Sequence, residues 1–198
     1  MTGSSRADRS RRGVFLDRDG TIIEDVGFLR DIAQLDVLPW SAAAIRQLNE
    51  AGYAVVVVTN QSGVGRGYFD EAHVRATHQA LDAALASHGA RVDAYYYCPH
   101  HPGAADAVYG IVCDCRKPAP GMLRRAAADL QLDLAQSWMV GDWWRDVEAG
   151  AGAGVRTILV RSGRSADHRP APEDAPRPDA ILNNLMEAAA WILRRSSR

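Results

Sequence analysis

Asp17 and Asp19 stand two residues apart in Asp17-Arg18-Asp19-Gly20-Thr21, directly after the apolar run Gly13 to Leu16. Two carboxylates that close repel, which raises the pKa of one or recruits a divalent cation. Asp142, after Val140-Gly141, offers a third oxygen donor, and Asp146, one helical turn on, a candidate fourth. A small all-oxygen set of this kind suits magnesium, which keeps several waters and works beside phosphate. Thr59 and Asn60 add a hydroxyl, an amide and backbone N–H groups suited to an anion. Lys117 is the only lysine among 23 basic residues. In a chain so biased toward arginine, it marks a position that needs a compact ammonium, such as one neutralising phosphoryl charge.

A second set of residues holds all three cysteines: Cys98-Pro99-His100-His101, then Cys113-Asp114-Cys115, ending directly at Arg116-Lys117. Three thiolates and one imidazole make the closed tetrahedral set that structural zinc uses, with no open position for catalysis. His100 is the preferred imidazole and His101 its competitor. Each motif also has a plainer reading. Acidic residues after a strand often only form solvated turns, Asp142 could serve as a helix N-cap, and the cysteines could be buried or redox groups. The run Gly63-x-Gly65-x-Gly67 lacks the Gly-Lys-Ser/Thr ending of a P-loop, which argues against a nucleoside triphosphatase.

The elements that must position these residues alternate between strand and helix. Ala54 to Val58 reads as a strand buried on both faces, and Arg91 to Tyr97, Ser137 to Val140 and Val155 to Val160 as further strands. Helical spacing runs through Pro39 to Ala51, Asp70 to His88 with Asp70 as N-cap, Gly121 to Leu130, Arg145 to Ala151 and Leu185 to Arg195. Ala180 to Leu182 suits an edge strand, and Ser162 to Pro178 a long surface loop. The pattern predicts an α/β, doubly wound parallel sheet. Ligands bind such sheets beyond the carboxyl ends of the strands. Asp17 to Thr21, Thr59 to Gly67 and Asp142 to Asp146 each follow a predicted strand, so they converge on one edge.

The chain has 198 residues, enough for one core, so residues 13–198 are expected to form a single domain with a zinc loop over 98–117. Residues 1–12, rich in Ser and Arg, read as a disordered arm. The net charge of -1 and the lack of a basic-aromatic stripe argue against nucleic acid as a partner. The longest apolar run is strand-sized, which argues against a membrane partner. No signal-like apolar stretch precedes Gly13, so a cytoplasmic location is expected.

Phe15-Leu16-Asp17-Arg18-Asp19-Gly20-Thr21, Val58-Thr59-Asn60-Gln61-Ser62-Gly63, Arg116-Lys117-Pro118 and Val140-Gly141-Asp142 resemble the four ordered motifs of the haloacid dehalogenase (HAD) phosphatases. The resemblance spans roughly Gly13 to Arg161 and implies a HAD-like Rossmannoid fold. It implies that Asp17 attacks phosphorus to form an aspartyl-phosphate, while Asp19 protonates the leaving alcohol and then activates water. Thr59 and Lys117 would hold the phosphoryl group. Magnesium would be bound by Asp17, Asp142 and Asp19, the last through its backbone carbonyl. The zinc segment (Cys98, His100, Cys113, Cys115) and the lack of a large cap insert between Gly20 and Ala54 resemble the heptose 1,7-bisphosphate 7-phosphatases. That family implies a sugar bisphosphate substrate, contacted by Asp25, Val26, Gly27 and Phe28, by Thr59, Asn60, Gln61 and Ser62, and by Arg116 and Lys117. The missing cap suggests an open site and a monomer.

Three positions depart from the heptose family's usual pattern. Val26 and Phe28 stand where it has His and Tyr, and Trp143 stands where it has Lys directly after the metal-binding aspartate. An indole cannot replace an ammonium, so the second phosphate would be held differently, by one of the arginines, or the substrate differs. The adjacent Trp143 and Trp144 could stack on a sugar or simply cover the core. The alternatives are a histidinol-phosphate phosphatase, a phosphatase for another sugar phosphate, or a zinc-containing interaction module with a vestigial site.

Overall fold

The computed structural model describes residues 11–163 and 171–196. Six parallel strands form one sheet: β1 (Gly13–Leu16), β2 (Ala54–Asn60), β3 (Ala94–Cys98), β4 (Trp138–Gly141), β5 (Arg156–Val160) and β6 (Ala180–Leu182). Their order is β3-β2-β1-β4-β5-β6. The chain therefore winds outward from β1 in both directions, and a crevice opens beyond its carboxyl end, where the winding reverses.

The central strands β1 and β4 are fully buried, and β2 is apolar from Ala54 to Val58, because both faces of the sheet are covered there. Val14, Leu16, Val55, Val57 and Val140 point to one side, whereas Phe15, Val56, Val58 and Met139 point to the other. The first side is roofed by α1 (Ser41–Glu50), α2 (Glu71–Ala86) and α5 (Leu185–Ser196). On α5, Leu185, Ala188, Ala189 and Ile192 repeat at helical spacing and are fully buried, which is the stripe an amphipathic helix needs. The second side is roofed by α3 (Gly121–Leu130) and α4 (Trp144–Ala153). As expected, Asp70 caps α2, accepting from the His73 N–H at 2.8 Å.

Element boundaries differ from expectation at three places. β3 starts later than Arg91, because the Asp93 carboxylate accepts from the Val55 N–H instead of continuing the ladder. The N-cap of α4 is Trp143 rather than Asp142. Arg11 and Arg12, expected in the arm, pack on the domain. Arg11 pairs with Asp93 at 2.7 Å and Arg12 lies over the Tyr53 ring, while residues 1–10 lie outside the described residues. Much of the predicted loop from Ser162 also falls outside them. No helix among the described residues is long and apolar enough to cross a membrane.

Candidate active site

β1 ends one residue before Asp17, whose N–H donates to the Val140 carbonyl of β4 at 3.0 Å. The chain then turns sharply, with the Ile22 and Ile23 N–H groups returning to the Arg18 carbonyl at 2.9 and 3.1 Å. Gly20 holds φ +79°, and a Cβ there would lie 2.5 Å from Asp142 Oδ2. The turn therefore needs glycine twice over, for its backbone and for the room it gives Asp142. β2 delivers Thr59 and Asn60, and β4 delivers Asp142. The three expected clusters meet at the crevice, around a cavity of about 240 Å³.

Lys117 is 2% exposed at the floor of that cavity. Its ammonium lies 2.9 Å from Asp17 Oδ1 and 2.6 Å from Asp146 Oδ1, and donates to the Val58 carbonyl at 2.8 Å. Burial disfavours its charge, but the Asp146 and Asp17 carboxylates more than offset this and hold the ammonium above its ordinary pKa. Asp17 is pushed up to about 6, by burial first and by the neighbouring Asp146 and Asp19, against the pull of Lys117. Carboxylates crowded in this way, with Asp17 raised, are a donor set that a divalent cation relieves. Asp17, Asp142 and Asp146 offer oxygens all within 4.8 Å of one another. Asp146 also accepts from the Trp143 N–H at 3.0 Å, so it serves Lys117 and the start of α4 before any metal. These hard oxygen donors fit magnesium, with Asp17 and Asp142 as its carboxylates.

The Asp19 carboxylate is absent from that group. Gln61 Nε2 donates to its Oδ2 at 3.0 Å, and Arg18 donates to its Oδ1 through Nη2 at 3.0 Å. Gln61 also donates to Thr59 Oγ1 at 2.9 Å. Any part of Asp19 in holding a metal therefore falls to its backbone carbonyl. Asn60 lines the cavity, but its amide is committed to Lys117. It donates to the Lys117 carbonyl and accepts from the Lys117 N–H, both at 3.0 Å. Gln61 and Asn60 both line the cavity, where they were expected, and their side chains also hold Asp19 and Lys117.

Asp25, Gly27, Phe28, Ser62 and Arg116 also line the cavity. Val26 does not; it is 48% exposed and turned away from the cavity wall. Both tryptophans line a neighbouring hollow with Pro118 and Pro172, and of the two Trp143 also lines the cavity. Three lining residues escaped the sequence reading: Arg66, inside the glycine loop, Phe69, just after it, and Arg145, in the first turn of α4. None belongs to a motif, and only proximity in the folded chain singles them out.

β3 ends at Cys98, and the segment after it folds the four zinc candidates together. Sulfur and nitrogen separations are 3.5 Å for Cys98–His100 Nδ1, 3.6 Å for Cys98–Cys113, 3.3 Å for His100 Nδ1–Cys115 and 3.2 Å for Cys113–Cys115. A tetrahedron with Zn–S bonds of ~2.3 Å has edges close to these. Cys115 is pulled down to about 5, chiefly by a hydrogen bond from Cys98, while Cys98 is pushed up by the same bond and by burial. One thiol is thus ready to give up its proton, as metal binding requires. His101 faces elsewhere, with Nε2 2.6 Å from Arg66 and Nδ1 accepting from the Gly103 N–H. Arg116 donates to the His100 carbonyl at 3.2 Å. The zinc segment therefore braces two of the guanidiniums that face the cavity.

Comparison with known proteins agrees with this geometry. A HAD-hydrolase-like family model matches residues 114–188. The D-glycero-beta-D-manno-heptose-1,7-bisphosphate 7-phosphatase of Salmonella typhi is 42% identical over 94% of this chain and 98% of its own. The enzyme of that name from Escherichia coli K12 is likewise 42% identical, over 94% of this chain and 96% of its own. The crystal structure of D,D-heptose 1,7-bisphosphate phosphatase from B. bronchiseptica, complexed with magnesium and phosphate, superposes with a TM-score of 0.80 at 37% identity, covering 93% of this chain and 99% of that one. With its sheet, its crevice and its carboxylate–lysine floor, the chain belongs to the HAD phosphatases, in the family of the heptose 1,7-bisphosphate 7-phosphatases.

Proposed function

We propose that this protein removes the 7-phosphate of D-glycero-manno-heptose 1,7-bisphosphate through an aspartyl-phosphate, in nucleotide-heptose synthesis, as a cytoplasmic monomer. The observation that carries the reading is the floor of the cavity. Asp17 Oδ1 is engaged by Lys117 at 2.9 Å and by the Arg18 N–H at 2.8 Å, which orients the carboxylate and leaves its other oxygen to attack phosphorus. As the Asp17–phosphorus bond forms, the bond to the sugar oxygen breaks, and Asp19 gives that oxygen its proton. Water then attacks phosphorus, Asp19 takes the water proton, and the bond to Asp17 breaks. Gln61 and Arg18 aim Asp19 for both steps. Thr59 and Lys117 hold the phosphoryl oxygens, and Asp17 and Asp142 would hold a magnesium ion, which when bound would supply neutralisation of the phosphoryl charge. Zinc held by Cys98, His100, Cys113 and Cys115 is structural. All the residues named come from one chain, so a monomer suffices.

The test is phosphate release with magnesium, comparing heptose 1,7-bisphosphate with histidinol phosphate. We expect kcat/KM for the heptose to exceed that for histidinol phosphate by more than tenfold, or ~1.4 kcal/mol in transition-state binding. Asp17→Asn should lose at least ~10³-fold in kcat while keeping its circular dichroism spectrum and its zinc. Unchanged turnover in that variant would overturn the enzymatic reading, and preference for histidinol phosphate would overturn the substrate.

A further inference from the structure

The floor and the rim of the cavity carry opposite charge. Asp17, Asp19 and Asp142 lie at the floor beside two cations that are already engaged: Lys117, whose ammonium is shared between two carboxylates, and Arg18, which pairs with Asp19. Arg66, Arg116 and Arg145 line the same cavity. Among the described residues, no carboxylate lies within ion-pair distance of any of these three guanidiniums; the recorded pairs involve Arg11, Arg18, Arg46, Arg91 and Lys117. Arg66 rests against His101, Arg116 against the His100 carbonyl, and the Arg145 guanidinium lies 6.0 Å from the centre of the Trp143 ring. Each is thus held by a neutral neighbour that leaves its charge uncompensated. Three like charges gathered in one cavity repel one another, and an anion placed among them relieves that repulsion.

A monophosphate handled at the floor with magnesium needs no such rim. We propose that Arg145, together with Arg66 and Arg116, forms the subsite for a second, non-reacting phosphate of the substrate, and that Trp143 supports Arg145 there. This inference rests on the phosphatase reading and names the residue that confers preference for a bisphosphate. Arg145 is the distinctive member, because it stands in the first turn of α4, three residues after Asp142, and so moves with the metal-binding end of β4. A planar guanidinium can bind phosphate through two parallel hydrogen bonds, where a tryptophan at position 143 can offer at most one. The same rim repels the cationic amine of histidinol phosphate.

The experiment compares the parent protein with Arg145→Glu and Arg145→Lys, using heptose 1,7-bisphosphate and p-nitrophenyl phosphate, which has no second anion. The ratio of kcat/KM for the two substrates should fall at least tenfold in Arg145→Glu, through KM for the bisphosphate, and Arg145→Lys should recover part of it. A ratio that moves less than twofold overturns the proposal, as does an equal loss on both substrates, which would mean general steering or a damaged fold. A second arm needs no turnover. Mannose 1-phosphate is titrated calorimetrically without magnesium, so that the bare carboxylate floor repels it and only the rim can hold it. Arg145→Glu should weaken this binding at least fivefold; no binding to the parent, or equal binding to both, overturns the proposal. If the parent hydrolyses neither phosphate ester, the phosphatase reading falls, and the titration still decides the role of Arg145.

Discussion

Asp142 owes its place to a missing side chain. A Cβ on Gly20 would come within 2.5 Å of Asp142 Oδ2, and the backbone there already sits at φ +79°. Gly20→Ala should therefore cost ~1–2 kcal/mol in backbone strain alone and displace the Asp142 carboxylate as well. The expected outcome is a lower midpoint in urea, together with a higher magnesium concentration for half-maximal phosphate release. A variant lowering stability without changing the magnesium requirement would separate the two roles and refute the second. The neighbouring residues show how far chemistry can be read from residue type. Spacing and scarcity were enough to single out Asp17, Asp19 and Lys117, which the fold brings to one cavity. The contacts that Asn60 and Gln61 make to Lys117 and Asp19 were not legible, because an amide beside a phosphate site reads as an anion donor and its protein partners are distant in sequence.

The zinc segment connects two elements that share no motif. It leaves the end of β3 at Cys98, returns through Cys113 and Cys115, and enters Arg116 and Lys117 directly before α3. His101 and the His100 carbonyl contact Arg66 and Arg116 at 2.6 and 3.2 Å. Losing the metal should therefore loosen the rim before it disturbs the floor, since Lys117 is also tied to β2 through Asn60 and Val58. After zinc is stripped with a chelator and magnesium is restored, hydrogen exchange should rise across residues 98–117. KM for the bisphosphate should rise several-fold more than kcat falls. Loss confined to kcat, with exchange unchanged, would remove the segment from substrate binding.

Across the whole molecule, one buried histidine couples stability to pH. His78 on α2 is 6% exposed and stacks on Tyr95 of β3, with ring centres 4.3 Å apart. Burial first, and the Arg18 charge second, lower its pKa from 6.5 to about 3. The unfolded chain takes up a proton near pH 6.5 that the folded chain refuses, so this contribution to stability is intact above pH 6.5 and lost as pH falls toward 3. The slope for one proton is ~1.4 kcal/mol per pH unit. His78→Phe, which keeps the stack, should flatten the fall of the urea midpoint between pH 6 and 4. An unchanged slope would mean that other groups govern acid unfolding.

The same scale separates what the chain dictates locally from what folding decides. Hydrophobic runs such as Ala54 to Val58 were enough to predict a parallel sheet, because only burial on both faces accounts for five apolar residues in a row. The motifs after β1, β2 and β4 then had to meet, since carboxyl ends share one edge of such a sheet. The Cys-x-His and Cys-x-Cys pairs pointed to zinc by donor chemistry, and the fold brings their four donor atoms together. The tertiary structure decided that Asp146 serves Lys117, that Val26 lies off the cavity wall, that Trp143 reaches the cavity while Trp144 does not, and that Arg66 and Arg145 come to one rim. These are contacts between side chains distant in sequence or differing by a few tens of degrees around one helix. Charge and periodicity record which groups a residue could satisfy, and only packing selects which one it does.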